Sequence, residues 1–462
     1  MGLKGGPEGA KAVFKEKFAT AFQDFRTLSQ VRECVGVARV QTLVVVDGNV
    51  LVMQIPQSVT TFQGYVEVVC TMLHGAIQAG EHVVVVFDEP EHLTRAKQEE
   101  QAKRDARRVP QTPQCSDDVA RPCPIDDDYD KNELEASTTN VCLMVKNHRK
   151  TRPRLYDALF VAVLEHFRSS FASQECAWSL TFDGVDKRGM DRPVDAPRVL
   201  GLLSSHPDVW EPVLTRETPI GEGDLKLTDV CHRVHKARET HPESKLAEVR
   251  LNMLSTIDTD SFMIELIAQS RREKREDTSN NELTLLCLRE SPRKRKDPAE
   301  STFAHYTCVD IEAFYNNIMT YMFGSQHLKP EIEARKPLVA LLLSACIALC
   351  GCDFVELQGL RADLVLPCVR DVARNQPDVL ELMAGVQTGE AGATRDAKEA
   401  IKAVVDEFVT SISGVPRLHK RTVHASACSD LQYLRALWTV AYWSAREFKD
   451  VYQWGFNHAA VD

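Results

Sequence analysis

The chain has 462 residues, 44% of them hydrophobic and 26% charged, with a formal net charge of −10 at pH 7. That length suits two or three ordinary domains, or one large domain with insertions. The longest apolar run, Pro337 to Cys352, is too short to cross a bilayer and ends next to Asp353, so a buried helix is expected there. No N-terminal stretch joins a basic start to an apolar core, so neither a membrane segment nor a secretory signal is expected. Fourteen cysteines without a CxxC pair read as free thiols of a reducing compartment rather than as zinc ligands.

In chain order, two short runs are apolar throughout: Thr42 to Val46 and Val83 to Phe87. Runs without alternation suit strands covered on both faces of a parallel sheet. Each ends on an aspartate, Asp47 and Asp88, and Thr60 to Gln78 between them has helical spacing. The expectation is strand, helix, strand. Arg95 to Arg108 then holds six Lys/Arg against three acids, Asp117 to Glu135 holds eight acids against two bases, and Lys146 to Arg154 holds five bases and no acid. The stretch between is polar and proline-rich, which fits a flexible insertion.

Tyr156 to Phe171 resumes a helical pattern, and Gly221-Glu222-Gly223-Asp224 opens another helical stretch, Leu225 to Val234. Cys231, His232 and His235 lack a second ligand pair and read as structural. Asp258-Thr259-Asp260 follows the apolar stretch Leu251 to Leu254, and in extended chain such i, i+2 residues share a face. Further polar stretches run Ser270 to Asn281 and Ser291 to Glu300, and from Phe303 the pattern is mostly helical. Trp438, Tyr442, Trp443, Phe448, Tyr452, Trp454 and Phe456 are expected to pack rather than to stack on bases.

Five parts follow: 1–108 and 151–269 as two pieces of one α/β core, 109–150 and 270–301 as insertions, and 302–462 as a helical part completing the core. The sheet is expected to be mostly parallel and flanked by helices.

Asp47, Asp88, Glu222, Asp224, Asp258, Asp260 and Asp353 all fall where such a sheet can gather them. Seven converging carboxylates would repel one another unless cations were present, and hard oxygen donors select Mg²⁺ or Mn²⁺. Two such ions support phosphodiester hydrolysis. Lys97, Gln101 and Arg104, spaced i, i+4, i+7, share a helical face that offers two cations and an amide to a phosphate.

These residues resemble the flap endonuclease and 5′-to-3′ exoribonuclease superfamily. Met1-Gly2-Leu3-Lys4-Gly5 is similar to the N-terminus of flap endonucleases. Val46-Asp47-Gly48-Asn49 and Val86-Phe87-Asp88 are similar to that family's first two metal-binding aspartates. Gly221 to Lys226 resembles its paired-glutamate motif in the exoribonuclease form, with aspartate as the second acid. Thr256 to Asp260 is similar to the aspartate pair, and Cys350-Gly351-Cys352-Asp353-Phe354 to the last aspartate.

The resemblance implies a PIN-like core, two Mg²⁺ or Mn²⁺ ions on the seven acids, and a 5′-phosphate product. It implies catalytic roles at the phosphate for Lys97 and Arg104, and substrate binding by Gly2, Gln101 and Lys103. The partner would be nucleic acid, either a DNA flap or an RNA 5′ end, in nucleus or cytoplasm. Arg293-Lys294-Arg295-Lys296 resembles a nuclear import signal. The two-glycine duplex clamp of flap endonucleases is reduced here to the single Gly359. A catalytically silent PIN-like scaffold in a nucleoprotein assembly is the alternative.

Overall fold

The computed structural model describes residues 9–56, 58–88, 152–172, 179–183, 199–204, 220–242, 244–272, 282–290, 305–352, 360–388, 396–413 and 428–444, with Leu3, Trp210, Val213, Val355, Ala425 and Ser426. Eight strands form one sheet: β1 (Phe22–Phe25), β2 (Thr42–Asp47), β3 (His82–Val86), β4 (Ser179–Asp183), β5 (Val199–Ser204), β6 (Leu251–Thr256), β7 (Leu283–Arg289) and β8 (Tyr306–Asp310). Their order is β1-β8-β7-β6-β2-β3-β4-β5. The five central strands, β7, β6, β2, β3 and β4, run parallel; β5 at one edge and β8 toward the other pair antiparallel to their neighbours.

β2 and β3 coincide with the two apolar runs, and every residue of both is buried. Helices cover both faces, as a parallel sheet requires. One layer holds α1 (Ala10–Lys17), and the other begins with α2 (Leu28–Val35) and the short α3 (Gly48–Met53). α4 (Phe62–Ala79) belongs with α2, and its buried residues Phe62, Tyr65, Val66, Val69, Leu73 and Ala76 recur at the helical period. Thr61 starts α4 by accepting the Gly64 N–H through its hydroxyl at 3.1 Å. α5 (Arg152–Ala172) lies on the same face. The α1 side continues with α6 (Gly223–Thr240), α7 (Ser261–Ser270), α8 (Ile311–Phe323), α9 (Lys336–Leu349), α10 (Ala362–Asn375), α11 (Lys398–Ile412) and α12 (Asp430–Trp443). Every residue of α9, the long apolar run, is buried except Pro337, and Tyr442 and Trp443 of α12 are buried in the same core, so these two aromatics pack. Phe448, Tyr452, Trp454 and Phe456 lie outside the described residues.

The chain leaves β2 for β3 and β4 on one side, whereas β6 and β7 lie on the other. The strand order therefore reverses between β2 and β6, and ligands of open α/β sheets bind beyond the carboxyl ends of the strands at such a point. At the opposite ends of these strands the polar groups are structural. Glu282 accepts from His235 Nδ1 at 2.8 Å and from Arg238 at 3.0 Å, and also pairs with Asn252. Burial pushes the Glu282 carboxyl up, but the His235 bond, the Arg272 charge and the Asn252 bond outweigh it and hold it below the usual range.

Three expectations are corrected. The span 270–301 contains β7, a buried strand of the sheet, so its two polar stretches flank a core element. The part 302–462 opens with a strand, β8, which pairs with β1 and β7 before the helices begin. Asp258 and Asp260 do not sit in extended chain: β6 ends at Thr256, and Asp260 is helical in backbone (φ −64°, ψ −29°) as it starts α7. Among the described residues no helix is long and apolar enough to cross a membrane.

Candidate metal centre

Side chains alternate along a strand, so the faces of β2 and β3 decide where their terminal acids point. Leu43 and Val45 of β2, and Val84 and Val86 of β3, face the layer that holds α6 and α7. Asp47 and Asp88 continue those two series. Asp47 is 7% exposed; its Oδ1 accepts the Asn49 N–H at 3.0 Å, and this contact caps α3. Asp88 lies two residues past β3, and its Oδ1 accepts the Gly223 N–H at 2.8 Å. This bond uses an N–H of the first turn of α6, which has no partner within the helix. A Cβ added to Gly223 would stand 3.4 Å from Asp88 Oδ1 and 3.5 Å from Asp47 Oδ1, so both carboxylates border one point at the start of α6.

Thr256, the last residue of β6, joins the remaining acids to this pair. Its fully buried hydroxyl is 3.4 Å from Asp47 Oδ2 and 3.3 Å from Asp224 Oδ1. One hydroxyl proton serves only one of these carboxylates at a time. The same oxygen accepts the Asp258 N–H at 3.1 Å, and Asp258 Oδ1 accepts the Asp260 N–H at 3.3 Å. Ser261 donates to Asp224 Oδ1 at 3.3 Å. Asp47, Asp88, Asp224, Asp258 and Asp260 are thus linked through Gly223 and Thr256.

Glu222 is buried at the N-cap of α6 with an extended backbone (φ −109°, ψ 135°), which frees it from the helical geometry that would turn it away from Asp224. Thr259 donates to the Leu3 carbonyl at 3.0 Å, which docks Leu3 on the acidic turn. Gly351, just after α9, adopts the left-handed region that favours glycine (φ 114°). Asp353, Gly2, Lys97, Gln101, Lys103 and Arg104 lie outside the described residues. Thr256 was visible in its motif but carries no acid, and Ser261 gave no signal in the sequence.

Burial pushes the Asp47 carboxyl up, the charges of Asp88 and then Asp258 push it further, and the result is about 7 despite hydrogen bonds from Asn49 and Thr256. The strongest charges acting on Asp47 are therefore two other carboxylates. A crowded set of oxygen donors of one sign fits a hard divalent cation. Among the described residues no group of three or more His, Cys, Asp or Glu side chains stands ready to hold a metal as placed.

Gly48, between Asp47 and α3, has a packing requirement of its own. A Cβ there would lie 2.0 Å from the ring of Phe87. That ring is buried against Phe160 and Tyr156, at centroid distances of 4.6 and 5.8 Å. Gly48→Ala is expected to destabilise the fold by about 1–3 kcal/mol, the scale of overpacking a core, because Phe87 has no room to retreat. Chemical denaturation measures this, and wild-type stability would contradict the packing argument.

Compared with known proteins, the chain matches no family model and no curated sequence.

Proposed function

We propose that the chain is a divalent-cation-dependent 5′ nuclease with a PIN-like core, hydrolysing phosphodiester bonds of a DNA flap or an RNA 5′ end. The observation that carries this reading is the gathering of Asp47, Asp88, Asp224 and Asp258 at the reversal of strand order, with Asp47 raised to about 7 by burial first and then by the charges of Asp88 and Asp258. The resemblance of the motifs, in order along the chain, supports it.

In this reading Asp47, Asp88, Glu222, Asp224, Asp258, Asp260 and Asp353 hold two Mg²⁺ or Mn²⁺ ions, directly or through water. Bound there, such ions activate a water nucleophile and stabilise the leaving oxygen. Thr256 orients Asp47 and Asp224, and the Asp88–Gly223 bond fixes the start of α6 against β3. Lys97 and Arg104 position the phosphate and neutralise developing charge, while Gly2, Gln101 and Lys103 bind the substrate strand.

The deciding experiment offers purified protein labelled flap DNA, single-stranded RNA and 5′-phosphorylated RNA, each with Mg²⁺, Mn²⁺ or chelator. The expected result is metal-dependent cleavage of at least one substrate to 5′-phosphate products. No cleavage of any of them would leave the silent scaffold as the better reading. Lys97→Ala and Arg104→Ala should each slow cleavage about 10²-fold, the effect of removing one donor at developing charge. Arg107→Ala should do less, since three residues along a helix turns it by roughly 60° from Arg104. Equal effects in single-turnover rates would replace the aimed phosphate site with a diffuse electrostatic one.

A further inference from the structure

α6 and α7 are joined by two polar bridges, one helical turn apart. Ser261 donates to Asp224 at 3.3 Å, and Thr228 donates to Glu265 Oε1 at 2.5 Å. Each pair of positions, 224 and 228 on α6 and 261 and 265 on α7, is four residues apart, so the bridges are successive rungs on facing sides of the two helices. The first rung ends on an acid of the candidate centre. The second lies deeper: Glu265 is 2% exposed and close enough to Cys231 for its charge to add to the burial that pushes that thiol up.

A carboxyl group in such a place is costly. Burial pushes the Glu265 carboxyl up, and the Thr228 bond and the Arg272 charge only partly oppose this. An apolar side chain of similar size would fill the site at no such cost, so packing does not account for a glutamate here. What the glutamate adds is a directed bond from α7 to α6. The turn entering α7 carries Asp258 and Asp260, and the start of α6 carries Glu222 and Asp224. Sliding or rotation of one helix against the other would separate these two pairs of acids.

We infer that Glu265 is a positioning residue for the carboxylate centre: through Thr228 it fixes α7 against α6 and so keeps Asp224 and the Asp258–Asp260 turn beside one another, where a divalent cation can draw them together. It acts on the ligands without being one, in the way that outer hydrogen-bond partners tune metal sites. This inference rests on the metal-binding reading above.

The test uses the full-length protein with Mn²⁺ alone as the probe, its binding followed by calorimetry and by the loss of the free-ion electron paramagnetic resonance signal. Thermal melts in chelator accompany each variant. Glu265→Leu should lower Mn²⁺ affinity about tenfold or more, while its metal-free melting temperature stays at or above that of wild type, because a desolvated carboxyl has been removed. A purely structural role would move stability and affinity down together. Glu265→Gln keeps an oxygen to accept from Thr228 and should bind Mn²⁺ within about threefold of wild type, well short of the tenfold loss. Thr228→Val, nearly isosteric, should weaken Mn²⁺ binding as Glu265→Leu does, and it keeps the question answerable if the leucine variant folds poorly. Wild-type affinity in Glu265→Leu and Thr228→Val would overturn the positioning role and leave the metal centre standing. A glutamine variant as weak as the leucine variant would overturn it too, since charge rather than geometry would then be at work. Absence of Mn²⁺ binding by wild type would overturn the metal centre itself, and this inference with it.

Discussion

Asp258→Asn is expected to lower the cleavage rate by at least about 10³-fold, or about 4 kcal/mol of transition-state stabilisation, while nucleic-acid binding changes little. The asparagine keeps an amide oxygen where Asp258 Oδ1 accepts the Asp260 N–H, and its own backbone N–H still reaches Thr256. The turn into α7 should therefore survive. What disappears is one negative charge next to Asp47, on which Asp258 acts directly. Cation affinity should fall for the same reason. Substrate affinity, which the proposed function assigns to Lys97 and Arg104, should not. Single-turnover cleavage and filter binding on the same substrate separate the two quantities. Cleavage within tenfold of wild type would remove Asp258 from the centre.

Asp47→Asn should make the metal-free protein more stable at pH 7.5, by about 2–4 kcal/mol, since each tenfold difference in proton affinity between folded and unfolded chain is worth about 1.4 kcal/mol. A free aspartate titrates near 3.9, whereas buried Asp47, crowded by Asp88 and Asp258, titrates at about 7. Between these values the folded protein holds a proton that the unfolded chain has lost. The penalty is therefore complete above about pH 7 and is relieved as pH falls toward 4. Wild type and variant should accordingly converge in stability between pH 7.5 and pH 5. Asparagine still offers one oxygen to Asn49 or Thr256, so little hydrogen bonding is lost. Saturating Mn²⁺ should reverse the order, because a bound ion stabilises only the state that binds it. Thermal melts at pH 5 and 7.5, in chelator and in Mn²⁺, give all four comparisons. A wild type that gains nothing from Mn²⁺, or a variant less stable in chelator at pH 7.5, would contradict a crowded carboxylate centre.

The strands β2 and β3, the helix α4 and the buried helix α9 were legible in the sequence because each has a local pattern long enough to show its period or its continuous burial. β1 and β8 were not. They are four and five residues long, and what makes them strands is their pairing with each other and, for β8, with β7. β7 was hidden between two polar stretches, although Leu283 to Leu288 is apolar apart from Thr284, and Thr284 to Leu288 is buried on both faces.

Of the candidate centre, the sequence by itself determined which acids were available and that several follow apolar strands. Only the tertiary structure decided that Asp47 and Asp88 leave β2 and β3 on the same face, because this depends on the alternation of each strand relative to the helical layer above it. It also placed Asp258 and Asp260 in a tight turn, where one accepts the other's N–H, rather than along a strand. Thr256, Ser261 and Glu265 gained their roles in the same way. Their partners lie up to 209 residues away in the chain, and a hydroxyl or a carboxyl shows no sign of such a partner until folding brings the two together.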